Sequence, residues 1–479
     1  MRQQTASKHA AAVKVLFSTG LALHQAGDIT KAKNNYKKIL RLIPAQPDAL
    51  HMLGVAEFQE KRFQEAVDLI TQAKILRPDN YLVHFNLGNA LRAAGRLPEA
   101  CAAYRQATIL NPDNIEVQKN LGNVLKEQNR MVDAIACYDR ILQKYPDHTY
   151  TLYNKSIALL SAGKLDEGWD LYEYRVSCDT SDARQLGHSF PRHAPNWDGK
   201  PIEKPLLVLP EQGLGDQIFY GSMLHDLNMM GIESFICLDG RLHHLFKRSF
   251  PNLNFILPTE LASLDPSAQL FSAQIQLASL GRIFRRTDTD LSRIRSPYLF
   301  ADEAFSALLS QKKKRPDTIT CGLSWASNSP SSGAVKSMKL TDLRPLLSIK
   351  QINFVNLQYG DTNRECNFVK SEFGIDITKV SEIDNENDID QLAALISACD
   401  VVVTVSNSTA HLAAALGKPV VVLLPHHTPL WYWHLDTARS PWYPTVTLLR
   451  QEAPGNWEKP IKEAAGLIAE LIMASQNQR

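Results

Sequence analysis

The sequence predicts an α-helical solenoid followed by an α/β region that contains two domains with parallel sheets. Three observations support this: a strict 34-residue period over the first 180 residues, a polar linker with three prolines, and an alternation of short apolar strands with helices after it. A chain of 479 residues is long enough for roughly three domains. Its 44% apolar content supports real hydrophobic cores.

Three kinds of marker residue define the period. Glycines recur every 34 residues, alanines follow each glycine by 12 and prolines follow it by 24. The markers are Gly20, Gly54, Gly88 and Gly122; Ala32, Ala66, Ala100 and Ala134; and Pro44, Pro78, Pro112 and Pro146. Small residues are needed where paired helices cross closely, and proline ends the second helix of each unit. A fifth copy has Ser156 and Gly168 at the first two positions and no proline, as expected of a terminal unit.

Asparagines recur on the first helix of successive units. Asn86, Asn120 and Asn154 lie one repeat apart, with Asn89 and Asn123 one turn further along the same face. A carboxamide offers both a donor and an acceptor, so this ladder can hold an extended peptide backbone of a protein acceptor without reading its sequence. The alternative is that asparagine is common at these positions of such repeats, and the sequence leaves both interpretations open.

The predicted repeat domain covers residues 1–182 and the linker residues 183–203. Two halves follow, residues 204–311 and 312–479, and in each of them short apolar strands alternate with helices. This spacing indicates parallel sheets with helical crossovers, so each half is predicted to be a Rossmann-like domain, the second closed by a C-terminal helix.

Charge and cysteine content argue against several classes of protein. A formal net charge of +2, spread along the chain, gives no electrostatic case for nucleic acid or a membrane as the main partner. Seven cysteines without a Cys-Xaa-Xaa-Cys pair fit a reducing compartment rather than a disulfide framework or a zinc site. There is no apolar run of signal-peptide length and none near the ~18 residues of a membrane span, so we expect a cytoplasmic protein without membrane insertion.

The segment "EQGLGDQIF" follows the first strand of the α/β region. Its Gly213 and Gly215 allow a tight turn, but Asp216 stands where a phosphate would rest on the helix N-terminus. The third glycine and the later acidic partner of a dinucleotide fingerprint are missing, and the chain has no Walker lysine motif. These absences weaken dehydrogenase and kinase readings, and we expect Asp216 to point into a cleft.

A second polar turn follows the strand that ends at Val405. Ser406, Asn407, Ser408 and Thr409 supply hydroxyls and an amide at the start of a helix that also carries His411. Free N–H groups and the helix dipole favour an anion such as a phosphate there. Plain helix capping is the alternative, and His411 taken without its neighbours favours a satisfied core histidine.

Other strand ends add candidates to the same cleft. Gly322 and Trp325 follow one strand and Gln358 another, while Lys336 is placed to neutralise phosphate charge unless it is a surface lysine. The aromatic block that contains Trp431, Trp433 and Trp442 favours interdomain packing over base stacking. The Asp-Xaa-Asp triplet at 288–290 lies in a charged stretch and is not interpreted as a metal signature, so no metal and no other cofactor is predicted.

The repeat pattern resembles the tetratricopeptide repeat. The ordered set "NWDGKPI", "EQGLGDQIFY", "GLSWASN", "VNLQYG" and "VSNSTAHLAAALGKPVVVLLP" resembles the heptosyltransferase-type glycosyltransferases of the GT-B fold, in the variant fused to such repeats. The resemblance implies an inverting, metal-independent transfer, with a nucleotide sugar on the second half. It also implies Asp216 as the base and Lys336 beside the leaving phosphate. The residues predicted to bind the donor are Gln212, Gly213, Gly215, Gly322, Trp325, Gln358, Ser406, Asn407, Ser408, Thr409 and His411.

The chain departs from the family at one position. Many members have Asp-Thr-Ser before the alanine–histidine pair, where this chain has Ser406-Asn407-Ser408, so the sequence does not identify the sugar or the nucleotide base. The layout is also similar to protein O-linked N-acetylglucosamine transferases and bacterial flagellin glycosyltransferases. The hypothesis is therefore sugar transfer to Ser or Thr hydroxyls of a protein, with flagellin as the guessed acceptor. The alternatives are a glycolipid or lipopolysaccharide-type glycosyltransferase and a non-catalytic repeat scaffold.

Overall fold

The computed structural model describes residues 2–178, 194–211, 213–313, 318–330, 332–427, 430–434 and 437–477. The chain divides into two compact units, residues 1–158 and 159–479. The first is built of helix pairs, and the second contains two parallel sheets with helices between the strands. The predicted fold class, a tetratricopeptide solenoid followed by two Rossmann-like domains, is confirmed.

The first unit is a succession of helix pairs in the predicted period. Its helices are α1 (Arg2–Gln25), α2 (Ile29–Leu42), α3 (Pro47–Gln59), α4 (Phe63–Leu76), α5 (Tyr81–Ala93), α6 (Leu97–Leu110), α7 (Ile115–Glu127), α8 (Met131–Lys144) and α9 (Thr149–Ser161), within which the division between the units falls. The side chains of Asn80 and Asn114 accept hydrogen bonds from backbone N–H groups of the first turns of α5 and α7. Such caps satisfy donors that have no partner inside the helix.

Buried tyrosines and glycines fix the distance between paired helices. Tyr104 and Tyr138 are fully buried. A Cβ added to Gly88 would lie 2.6 Å from the ring of Tyr104, and one added to Gly122 would lie 2.5 Å from that of Tyr138. Gly88 and Gly122 are therefore needed because an aromatic ring of the second helix packs directly on the backbone of the first.

The second unit begins with the end of α9, then α10 (Leu165–Tyr172) and a 3₁₀ turn (Glu173–Val176). Its first sheet contains β1 (Leu206–Leu209), β2 (Ser234–Cys237), β3 (Asn254–Ile256) and β4 (Ala273–Gln276), all parallel, in the order β3-β2-β1-β4. The helices that follow these strands are α11 (Leu214–Gly221), α12 (Leu224–Met229), α13 (His243–Ser249), α14 (Pro258–Ala262), α15 (Gly281–Phe284), α16 (Asp288–Leu291) and α17 (Glu303–Lys313). Residues 194–197 of the predicted linker run beside β4, where the Trp197 N–H donates to the carbonyl of Gln274.

The second sheet is larger. It contains β5 (Ile319–Ser324), β6 (Ile352–Asn356), β7 (Ile377–Thr378), β8 (Val401–Val405), β9 (Val420–Leu424) and β10 (Val446–Arg450), parallel in the order β10-β9-β8-β5-β6-β7. Its helices are α18 (Gly333–Lys336), α19 (Arg344–Leu347), α20 (Asn363–Phe373), α21 (Ile389–Ser397), α22 (Ser408–Ala415) and α23 (Glu458–Asn477). All side chains of β6, β8 and β9 are buried, which explains the apolar runs of β8 and β9.

The strand order places the polar turns at one edge. In the second sheet the chain runs outward from β5 through β6 to one side and returns through β8 to the other, so β5 and β8 flank the switch point. Ligands of open α/β sheets bind outside the carboxyl ends of the strands at such a point.

The predicted domain boundaries stay a prediction. Among the described residues, no helix is both long and apolar enough to cross a membrane.

Candidate active site

Asp216 lies in the first turn of α11, shortly after the carboxyl end of β1. A Cβ added to Gly213 would lie 2.6 Å from its Oδ2, so the carboxylate folds back over this position. From the second half, the hydroxyl of Tyr432 donates a hydrogen bond to Oδ1 of Asp216 at 3.3 Å. Burial and then the charge of Asp216 raise the pKa of Tyr432 well above its ordinary value, so the phenol stays protonated and donates to the carboxylate.

The turn that carries Asp216 meets the start of α22. A Cβ added to Gly215 would lie 3.1 Å from Cδ2 of His411 and 3.5 Å from Cα of Ser408. Only a residue without a side chain allows this approach without displacing its neighbours. The two halves therefore bring the carboxylate of one strand-end turn beside the helix N-terminus of the other.

Lys336 ends the short helix α18 and is buried, with 5% of its surface exposed. Burial lowers the pKa of its ammonium, and the negative charge of Asp216 opposes this shift. No hydrogen bond or ion pair holds the ammonium within the part of the chain that the structure describes. The burial of Lys336 excludes the alternative that it is a surface lysine. A buried cation beside a helix N-terminus is suited to a phosphate.

Asn407 joins the turns after β5 and β8. Its Oδ1 lies 3.3 Å from the N–H of Ala410 as a helix cap, and its Nδ2 donates to Oγ of Ser324 at 2.8 Å and to the carbonyl of Ala326 at 3.0 Å. Ser406 accepts a hydrogen bond from the indole N–H of Trp433 at 2.8 Å. Both polar side chains are thus used inside the protein, where they fix the shape of the site. Their contact with a donor stays a prediction.

Gln358 organises the turn after β5 in the same way. Its Oε1 accepts the backbone N–H groups of Trp325 at 2.9 Å and Ala326 at 2.8 Å, together with the hydroxyl of Ser324 at 3.0 Å. Gly322 lies inside β5, where an added Cβ would meet the side chain of Leu357. Gly322, Trp325 and Gln358 therefore pack and hold the wall of the site, and donor contact stays a prediction for them as well.

The two remaining polar residues of the second turn differ from these. Ser408 is partly exposed at the start of α22. Thr409 is buried, and its Oγ1 has no hydrogen-bond partner among the residues that the structure describes. A buried hydroxyl without a partner is costly and is commonly explained by a ligand or an ordered water. These residues, with the first N–H groups of α22, form the best candidate phosphate position. Gln212 lies outside the described residues.

His411 is buried and neutral. Its ring stacks on that of Trp433, with centroids 4.9 Å apart, and its Nδ1 lies 3.0 Å from the hydroxyl of Tyr443. Burial and then the positive charge of Lys336 lower the pKa of His411 to about 3. The imidazole is therefore uncharged at neutral pH, as in the core-histidine interpretation, and stands between the aromatic cluster and the start of α22.

The aromatic block packs between the two halves. Phe219 of α11 contacts Trp431, Tyr432 and Trp442, with ring centroids 5.9, 4.5 and 5.0 Å apart. Trp431, Trp433 and Trp442 are almost completely buried. The prediction of interdomain packing is confirmed for Trp431 and Trp442, whereas Trp433 packs on His411 within the second half. Burial excludes the base-stacking alternative for all three tryptophans.

The five asparagines of the repeats lie in one hydrogen-bonded face, hereafter the asparagine face. Asn120 Nδ2 donates to Oδ1 of Asn89 at 3.3 Å, and this oxygen also accepts the hydroxyl of Tyr104 at 2.7 Å. The other pairs on this face are Asn86 with His51 at 2.8 Å, Asn123 with Tyr138 at 2.8 Å and with Tyr150 at 3.2 Å, and Asn154 with Lys126 at 2.7 Å.

Three of the five carboxamide oxygens on this face accept internal hydrogen bonds. Four of the five NH2 groups also make an internal hydrogen bond, but each NH2 group carries a second N–H donor. Lys126 adds a cation, and burial lowers the pKa of its ammonium to about 8. Such a face is suited to backbone carbonyls or carboxylates of a peptide. Peptide binding there stays a prediction.

Tyr432 is a residue of the candidate site that sequence reasoning missed. The aromatic block was interpreted as packing, and a tyrosine within it gives no sign that its hydroxyl reaches a carboxylate 216 residues away. The available signal was its position between two tryptophans after a strand, which predicts burial. The hydroxyl of a buried tyrosine usually forms a hydrogen bond.

Comparison with known proteins agrees with this organisation. Residues 379–461, which contain β8, α22 and β9, match glycosyltransferase family 9 (heptosyltransferase). Residues 88–129 match one TPR repeat family, and residues 17–81 and 119–176 match a second, the tetratricopeptide repeat. The chain thus has tetratricopeptide repeats fused to a heptosyltransferase-like region, which confirms the layout predicted from the sequence.

Protein FlbA of Caulobacter vibrioides is 31% identical to this chain over 328 residues, which are 65% of this chain and 54% of FlbA. The chain spans about half the length of this curated relative.

Solved structures similar to the chain include YrrB, described as a TPR protein with an unusual peptide-binding site. The two chains are 17% identical with a TM-score of 0.32, and the match covers 34% of this chain and 84% of YrrB. PilF of Pseudomonas aeruginosa is 22% identical with a TM-score of 0.34, and the match covers 37% of this chain and 82% of PilF.

Proposed function

We propose that the chain is an inverting, metal-independent glycosyltransferase that moves a sugar from a nucleotide-activated donor to Ser or Thr hydroxyls of a protein. Flagellin is the candidate acceptor and the cytoplasm the proposed location. The observation that carries the proposal is that the turn of Asp216 meets the start of α22 and that the charges of Asp216 and Lys336 interact. The helix α22 lies within residues 379–461, which match the heptosyltransferases.

The proposed chemistry assigns one step to each group. The acceptor hydroxyl loses its proton to the Asp216 carboxylate as its oxygen forms a bond to the anomeric carbon. The bond between that carbon and the phosphate oxygen breaks, its electron pair stays on the phosphate, and the nucleotide leaves. Lys336 and the first N–H groups of α22 stabilise the negative charge that develops there.

Asp216→Asn is expected to abolish transfer without loss of donor binding. Candidate acceptors are isolated from cells that produce the wild type, Asp216→Asn or no protein, and their intact masses are compared. Binding of ADP, CDP, GDP and UDP is measured by calorimetry. Asp198→Asn, which removes an exposed carboxylate of the predicted linker, serves as the control and should leave the mass shift in place. A mass shift that persists in Asp216→Asn rules out the assignment of the base.

The asparagine face separates a protein acceptor from a glycolipid. Asn120→Ala/Asn154→Ala, made in the full chain, should raise KM for a protein acceptor that docks on this face, with little change in kcat, because the chemistry lies in the other unit. Transfer to a lipid or free sugar should not change. If the protein binds none of the four nucleotides, the alternative of a non-catalytic repeat scaffold is favoured. If transfer is lost in EDTA, the proposed metal independence is contradicted.

A further inference from the structure

Residues 165–176, hereafter the α10 segment, carry the last repeat markers but pack inside the second unit. The indole of Trp169 is fully buried and donates its N–H to the carbonyl of Arg285 at 2.8 Å. A Cβ added to Gly281 would meet the same indole. The α10 segment is thus held against the first Rossmann-like half by close packing that would not tolerate an additional methyl group.

A buried ion pair joins the α10 segment to the residue that precedes the glycine turn. Arg175, 4% exposed, donates to Oε1 of Glu211 at 2.8 Å and to Oγ of Ser279 at 3.0 Å. The same Oε1 accepts the N–H of Ala278 at 3.0 Å, and the guanidinium lies 4.8 Å from the ring centre of Tyr172. Buried ion pairs of this kind contribute little net stability but are costly to break on one side, because the remaining charge is left unpaired.

Two aromatic contacts lead from the α10 segment to the surroundings of Asp216. The hydroxyls of Tyr172 and Tyr220 lie 3.1 Å apart, and Tyr220 stands one turn after Asp216 on α11. Trp169 packs edge-on against Trp431 at 5.2 Å between centroids. Trp431 directly precedes Tyr432, the phenol that donates to the carboxylate of Asp216.

Three separate contacts of one short segment therefore reach the surroundings of the same carboxylate. They are made to a residue before the turn, to the helix that carries Asp216, and to the neighbour of the tyrosine that donates to Asp216. We propose that the α10 segment positions Asp216 for catalysis, with Arg175 as the principal positioning residue through Glu211. This inference rests on the proposed function of Asp216 as the base.

The physical reason lies in the two glycines of the turn. Gly213 and Gly215 lack side chains, so the backbone between β1 and α11 gains rigidity from the residues that flank it. On the β1 side that residue is Glu211, whose carboxylate is held by Arg175 and whose carbonyl accepts Nε2 of Gln217 at 2.5 Å. A displacement of about 1 Å at a reacting group costs on the order of a hundredfold in rate.

The experiment compares full-length Arg175→Met and Arg175→Lys with the wild type. Amide hydrogen exchange is followed by mass spectrometry in peptides that cover residues 213–222 and, for reference, the second sheet between residues 319 and 450. Affinities for ADP, CDP, GDP and UDP and the kcat of transfer are measured on the same preparations. Arg175→Met should speed exchange in 213–222 alone and lower kcat about tenfold or more. Nucleotide affinity should not change, and Arg175→Lys should restore part of the loss.

Arg286→Met is the matched control. Arg286 pairs with Asp166 and Asp170 of the same α10 segment, but at exposed positions away from the glycine turn. It should leave exchange in 213–222 and kcat as they are. Unchanged exchange in 213–222 of Arg175→Met, or an equal rise throughout the second sheet, overturns the positioning role. Because the exchange measurement needs no acceptor, it decides this question even where the wild type shows no transfer and the proposed function fails.

Discussion

His411 illustrates how burial decides the behaviour of a single residue. Its pKa is lowered to about 3, by burial first and then by the charge of Lys336. The unfolded chain takes up a proton at this residue near the ordinary pKa of about 6.5, whereas the folded chain does so only near pH 3. The stability associated with neutral His411 is therefore complete above pH 6.5 and is lost as the pH falls from about 6.5 toward 3.

We expect His411→Gln to weaken this dependence on pH. Between pH 7 and pH 5 the wild type should lose about 2 kcal/mol more unfolding free energy than the variant. Urea unfolding is followed by tryptophan fluorescence, which reports on the second unit because all seven tryptophans, from Trp169 onward, lie there. Tyr443→Phe removes the hydroxyl beside the imidazole but keeps the titrating group, so it should behave like the wild type. An equal loss of unfolding free energy in His411→Gln contradicts the assignment of this pH dependence to His411.

The residues of the site could be predicted from sequence only in part. Asp216 and the 406–411 turn were found because each follows an apolar strand and opens a helix, a local pattern. The hydrogen bond of Tyr432 and the ion pair of Arg175 with Glu211 join residues distant in the chain. Nothing in the spacing of the sequence specifies such pairs, because they depend on how the elements pack.

At the scale of elements, periodicity carried most of the information. The 34-residue markers predicted the helix pairs, and the apolar runs predicted the parallel strands, because both patterns arise from side chains that must be buried. The α10 segment shows the limit of this reasoning. Gly168 stands at the expected marker position, yet Trp169 beside it packs against residues that follow β4.

The glycine turn gives a prediction at this scale. Gly213 has a φ of −89°, which any residue adopts, so its importance lies in the 2.6 Å between an added Cβ and Oδ2 of Asp216. Gly213→Ala should therefore turn the carboxylate away and lower the kcat of transfer by about tenfold or more, with nucleotide affinity unchanged. Steady-state kinetics and calorimetry measure the two quantities.

Gly240→Ala is the control for this change. It adds the same methyl group in the same half, where the nearest atom lies 3.8 Å away. Its kcat should equal that of the wild type. A full kcat in Gly213→Ala would show that the carboxylate does not depend on the space above this glycine.

At the scale of the whole molecule, the chain consists of two compact units with separate cores. The core of the second sheet is formed by its strands and α23, whereas the core of the repeats is formed by tyrosines and small residues of neighbouring helices. Because different residues form the two cores, we expect a defect in one to leave the stability of the other nearly unchanged.

Gly122→Ala tests this independence. The added Cβ would lie 2.5 Å from the buried ring of Tyr138, and overpacking of this kind costs about 1–3 kcal/mol. The part of the far-ultraviolet circular dichroism transition that arises from the repeat helices should move to lower urea, while the tryptophan fluorescence transition of the second unit should stay in place.

Gly466→Ala should stabilise the second unit instead. It lies in α23 with no atom within 4 Å of the added Cβ, so better helix propensity should stabilise the second unit by up to about 1 kcal/mol. A common shift of both transitions in either variant would mean that the two cores unfold as one.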